Sequence, residues 1–148
     1  MTKHGIYIQY IALLLLFLGC NAQTRPDGMP TLYPLVLTVI QDGTPLAEAR
    51  VSLFVETGES TWTVGGTTDA SGKTSLLTHG KYPGVPAGKY KVCIFKVEGL
   101  MPEEYDLVDV KLKSPITTTL TLEATPGTKN ITLDVGKPIR QRLNANGT

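Results

Sequence analysis

The chain has 148 residues and a formal net charge of +1, with 41% hydrophobic and 18% charged residues. That length suits one domain, and the composition is ordinary for a globular chain. With no basic patch, arginine-rich run or acidic tail, the sequence argues against nucleic acid as a partner and against a cation sponge.

In chain order, the N-terminus reads as three parts. "MTKHG" is short and bears Lys3, Ile6 to Leu18 is almost wholly apolar, and small Gly19 stands before Cys20. A positive start, an apolar core and a small residue at the cut site make a secretory signal. The apolar run falls short of the ~20 residues that cross a bilayer as a helix. "FLGC" resembles the bacterial lipobox, in which a small residue precedes an invariant cysteine. The resemblance implies lipid on the Cys20 sulfur, cleavage of residues 1–19, and acylation of the new amino group. Phe17 stands where that motif usually has leucine. Several acyl chains anchor a protein stably, since each buried methylene contributes about 0.8 kcal/mol. Asn21 is not the aspartate that often signals inner-membrane retention, so the motif implies the cell envelope, at the outer membrane. With Cys20 lipidated, Cys93 has no partner, and an isolated strand cysteine reads as a small buried hydrophobe.

Residues 20–34 carry three prolines and no periodicity, and read as anchor and tether. Residues 137–148 are polar and lack a core pattern, so they read as a frayed tail. The folded unit is expected over residues 35–136, enough to bury a core without disulfides. "LVLTVI" (Leu35 to Ile40) is an apolar, strand-like run. Asp42-Gly43 marks a turn and Pro45 breaks the strand. In "RVSLFVE", Val51, Leu53 and Val55 share one face, with Phe54 half covered on the other. "STWTVGGTT" (Ser60 to Thr68) is the next expected strand, its Gly65-Gly66 pair suggesting a bulge or close backbone approach. "DASGK" (Asp69 to Lys73) is a tight turn and "TSLLT" the return. "HGKYPGVPAG" reads as a long loop before "KYKVCIFKV", where Tyr90, Val92 and Ile94 alternate with Lys91, Cys93 and Phe95. "EGLMPEEYD" reads as a second loop. "LVDVKL", "ITTTLTLE" and "NITLDV" complete the strands, with Ile116, Leu120, Leu122, Ile131, Leu133 and Val135 inward. About seven short strands with turn signals between them predict an all-β, antiparallel Greek-key β-sandwich of seven strands.

Three motifs occur in order: "DGTPLAEARVSLF", "GGTTDASGKTSL" and "VPAGKYKVCIFK". Together they resemble the carboxypeptidase regulatory-like domain, whose fold is similar to transthyretin (prealbumin-like). "MPEEYDLVDVKLKSPITTTL" and "KNITLDV" also look like the ends of small bacterial lipoproteins of this type. The resemblance covers about 100 residues and implies a lipid-anchored, non-enzymatic domain. The motif residues also have local physical roles. Gly43 and Gly72 permit the positive φ of tight turns, and Asp69 can accept hydrogen bonds from the turn it opens. Gly88 lets the chain turn into its strand, and Tyr90 can bury its ring while its hydroxyl reaches a backbone group.

Catalytic chemistry has little to draw on. After Cys20 the only histidine is His79, too few for a zinc site or for iron held by tyrosines and histidines. "DASGK" lacks the further acidic ligands of a calcium loop. Glu103-Glu104 are adjacent loop residues and read as solvated. No catalytic residue, metal or cofactor is therefore expected. Candidate ligand contacts are Lys81, Tyr82 and Tyr105, on the expected loops Lys81–Pro86 and Gly99–Asp106. The membrane is the expected partner through Cys20, and an envelope polysaccharide or protein through the domain. The alternative is a carbohydrate-binding module using Trp62, Tyr82 and Tyr105 as exposed, coplanar aromatics. A third reading is a hydrolase, which requires polar groups converging on His79.

Overall fold

A computed structural model describes residues 24–143. The strands in chain order are β1 (Leu32–Tyr33), β2 (Val36–Gln41), β3 (Thr44–Pro45), β4 (Arg50–Val55) and β5 (Val64–Thr67). Next come β6 (Lys73–Ser75), β7 (Leu77–Thr78), β8 (Tyr82–Pro83), β9 (Val85–Pro86) and β10 (Gly88–Phe95). The last are β11 (Val97–Leu100), β12 (Glu103–Asp106), β13 (Thr121–Ala124), β14 (Asn130–Asp134) and β15 (Gln141–Arg142). A 3-10 helix spans Val110–Lys113.

The fold is all-β. One sheet has the order β13-β10-β4-β5-β7-β8, and a second joins β14, β2 and β3, with β6 also on β2. Period-2 alternation explains how they meet. Leu37 and Val39 of β2, Val51 and Leu53 of β4, and Val92 and Ile94 of β10 enter one buried core. Pairing is antiparallel throughout except between β14 and β2, which run parallel from Asn130↔Val36 to Asp134↔Ile40. This corrects the wholly antiparallel expectation. β14 reaches β2 from the other sheet through Thr125–Lys129, and that crossover lets it lie in the same direction as β2.

The turns are locally determined. Asp42 and Gly43 both have positive φ, 50° and 77°, as a two-residue type I′ hairpin between β2 and β3 requires. Asp69 Oδ1 accepts from the Ser71 N–H (2.8 Å), the Ser71 hydroxyl (2.7 Å) and the Lys73 N–H (3.0 Å). Gly72, at φ 73°, lies so close to β2 that a Cβ there would stand 2.5 Å from the Val39 carbonyl oxygen. Gly66 has an inter-sheet role: a Cβ would collide with the Thr74 side chain, so glycine lets β6 close onto β5. Gly88 opens β10 opposite Ala124, and the buried Tyr90 donates its hydroxyl to the Pro86 carbonyl at 2.8 Å.

Several expectations are corrected. "EGLMPEEYD" is not a loop: β11 and β12 form a hairpin, joined by β15 into a separate three-stranded sheet. Gln141–Arg142 of the expected tail is therefore paired. The second half of "LVDVKL" is not strand but enters the 3-10 helix, capped by the Asp109 side chain, which accepts from the Lys111 N–H. Ile116 is 91% exposed rather than inward, because β13 starts only at Thr121. Trp62 lies before β5, not within it. The expected tether also ends early. Leu32 is buried, and β1 pairs with β9.

Candidate functional site

The outer face of the larger sheet carries a groove of about 420 Å³. Its walls include Phe54 and Val55 of β4, Trp62 and Thr63 ahead of β5, and Pro115. Alternation along β4 produces one wall: Val51 and Leu53 point into the core, so Ser52 and Phe54 point outward. Phe54 remains 43% exposed. Further along β10, the neighbouring segment is the 3-10 helix, whose Leu112 joins the core. The buried Thr118 hydroxyl donates to the Val92 carbonyl at 2.8 Å. Cys93 of β10 is free and fully buried, and burial pushes its thiol pKa above the ordinary value.

Trp62 is held from behind. Its ring meets His79 edge-on at 5.0 Å between centroids, and His79 Nδ1 lies 3.1 Å from the Thr63 hydroxyl. His79 has a positive φ of 54° and donates its backbone N–H to the Thr63 carbonyl at 2.7 Å. The only histidine of the described residues thus braces an aromatic wall. The Ser60 hydroxyl, also on the groove, accepts from the Trp62 N–H at 3.1 Å. The groove therefore offers aromatic surface together with the hydroxyls of Ser52, Ser60 and Thr63.

The residues singled out from sequence do not meet there. Lys81 is exposed, with its ammonium 5.3 Å from the Tyr82 ring centroid. Tyr82 was expected on the surface but is buried, its hydroxyl donating to the Thr24 carbonyl at 3.1 Å. The β1–β9 pairing brings the N-terminal segment across this region and covers it. Tyr105 belongs to the three-stranded sheet, half-buried beneath the Arg140 guanidinium at 4.2 Å. Of the three aromatics, Trp62 alone lines the groove. Cys20 lies outside the described residues. The contribution of Pro115 was invisible in the sequence, since it reaches the groove from 61 positions beyond Phe54 (115 − 54). Phe54 did leave a signal, as an aromatic among the polar positions of an alternating strand.

Among the described residues, no group of three His, Cys, Asp or Glu side chains is placed to hold a metal ion. Among the described residues the one strongly buried carboxylate, Asp106, is engaged by Lys113, whose ammonium is 2.8 Å from both oxygens. Compared with known proteins, the chain matches no family model and no curated sequence.

Proposed function

We propose that this chain is a lipid-anchored cell-envelope protein whose β-sandwich binds a partner and performs no catalysis. The observation that carries the binding role is the Phe54–Trp62 groove, open on one sheet face and walled by aromatic surface. Pockets of this kind bind by apolar contact, with a few polar groups setting orientation. Its histidine is turned to bracing Trp62, which favours binding over hydrolysis. The anchor rests on "FLGC" and the apolar run before it.

The finer fold reading is a seven-stranded Greek-key sandwich of the transthyretin-like, carboxypeptidase regulatory-like kind. Two features support it: the three ordered motifs, and the position of β10 between β4 and β13 opposite the β14-β2-β6 sheet. The lipid anchor is tested by mass spectrometry of the membrane fraction. Cleavage and acylation at Cys20 are expected, and an intact, unmodified N-terminus overturns the anchor.

The carbohydrate reading built on Trp62, Tyr82 and Tyr105 fails, because Tyr82 is buried and Tyr105 lies on a separate sheet. The groove favours a narrower form of it, a carbohydrate-binding module resting on Trp62 and Phe54. Trp62 and Phe54 can stack on sugar faces while Ser52, Ser60 and Thr63 hydroxyls bond ring hydroxyls. A glycan and peptidoglycan array probed with the full chain in detergent tests it. Binding abolished by Trp62→Ala supports it; binding unaffected by Trp62→Ala removes the groove from the account.

A further inference from the structure

The hydrogen-bond phase of β14 shows which backbone groups lack a partner. At the ends of the β14–β2 ladder, the Val36 N–H donates to the Lys129 carbonyl and the Val135 N–H to the Ile40 carbonyl, both at 2.9 Å. Backbone groups alternate sides along a strand, so Ile131 and Leu133 direct their N–H and C=O groups at β2. Asn130, Thr132 and Asp134 direct theirs the other way. Among the described residues nothing pairs with that side, because β2 is the only neighbour of β14. The usual guards of a free edge are few: the only charges are Asp134 at the end of the strand and Lys129 just before it. Between Asn130 and Asp134 there is no proline, no lysine and no inward-pointing charge. On β14 itself, Ile131 and Leu133 pack on the core yet stay only partly buried.

We infer that the free edge of β14 is a dimer interface, pairing antiparallel with the same edge of a second copy of this chain. Only one two-fold register uses all the free groups. It sets Thr132 opposite Thr132 of the second copy and Asn130 opposite its Asp134. Each of these facing pairs exchanges both N–H···O bonds, six bonds across the axis. The side chains are self-complementary in that register. Threonine meets threonine, a favourable cross-strand pair, and Ile131 meets Leu133 on the face that is half covered in the single chain. The two Asp134 carboxylates then stand four residues apart along the pair, about 14 Å at 3.4 Å per residue. That exceeds the screening length of about 8 Å at physiological salt. Sliding the register to oppose the two Asp134 residues would lose bonds and face like charges. The match of Asn130 to Asp134 and of Thr132 to itself selects a second copy over an unrelated strand.

The test is sedimentation equilibrium of the full chain in detergent across the micromolar range. A dimer is expected. Thr132→Pro removes only an outward N–H, so the chain should keep its circular dichroism while self-association weakens at least tenfold. Thr132→Lys, which faces two ammonium groups across the axis, should do the same and serves where the proline variant fails to fold. Thr132→Cys should form a disulfide-linked dimer, since facing bonded residues lie about 5.5 Å apart between Cα atoms. Thr57→Cys, in the exposed segment after β4, should not. A wild-type monomer throughout the range overturns the inference. So does a dimer that survives in folded Thr132→Lys.

Discussion

The two-sheet core and the β11-β12-β15 sheet use strands of similar type but hold them differently. In β4 and β10, Val51, Val92 and Ile94 are essentially inaccessible. In β11 every residue is exposed, and the hairpin ends on Leu100 and Met101, 85% and 82% exposed. Both regions are built on hydrogen-bonded strand ladders. What differs is a second sheet: the core strands have one facing them and the hairpin does not. The hairpin is held instead by side-chain contacts: Arg140, distant in sequence, on Glu98 at 3.2 Å and over the Tyr105 ring, and Lys113 on Asp106. Hydrogen bonding is enough to define a sheet, while burial decides how much stability each residue carries.

That difference predicts a ranking of substitution effects. Leu37→Ala should cost most, about 2–5 kcal/mol, because a fully buried leucine leaves both lost transfer energy and a cavity. Denaturant unfolding of the variant measures it, and a loss below about 1 kcal/mol would break the contrast between the regions. Lys113→Met should rank second, at about 2 kcal/mol. It strands the Asp106 carboxylate, which is 4% exposed, at the joint where β12 leaves the core. Amide exchange should quicken in β11 and β12 before it does in β10.

The same contrast explains what the sequence disclosed. The all-β class was legible because alternation and turn chemistry are local signals. "DG" and "DASGK" carry their own turn geometry, and the Val51–Leu53 and Tyr90–Val92–Ile94 faces need only a period of 2. The three-stranded sheet was illegible for the converse reason. "VEGL" and "EEYD" have no apolar alternation, and their partners Gln141–Arg142 come from a polar stretch. Tyr82 misled because Lys81 and Pro83 beside it are surface-like residues, whereas its burial comes from Thr24 and β1. At the groove, Phe54 was visible as an irregular aromatic, but Pro115 and the His79 brace depend on tertiary placement.

Acid titration should sharpen the comparison at a smaller scale. Hydrogen bonds from Ser71 and Lys73, the Ser71 hydroxyl first, hold the Asp69 carboxyl below its ordinary value of 3.8. A lowered folded pKa means the turn contributes stability above that ordinary value and loses it as pH falls through the folded one. The wild type should therefore lose stability below about pH 4. Asp69→Asn should flatten that part of the curve, and an unchanged acid slope would remove Asp69 from the account. The converse holds for Cys93. Its raised thiol pKa and complete burial predict negligible labelling by thiol reagents in the native state at neutral pH.

The smallest effect is expected at the hairpin tip, where it is most informative. Leu100→Ser with Met101→Ser removes two large apolar side chains, as many apolar atoms as a severe core truncation. Hydrophobic stabilisation scales with area withdrawn from water, and these side chains are nearly as exposed folded as unfolded. The double variant should thus change unfolding free energy by no more than about 0.5 kcal/mol. A loss of about 2 kcal/mol or more would mean that these side chains are covered in the protein as it exists, by another molecule. Repeating the measurement at two protein concentrations separates the cases. A concentration-independent, near-zero change leaves the tip a solvated turn, and a loss that grows with concentration places it at an interface.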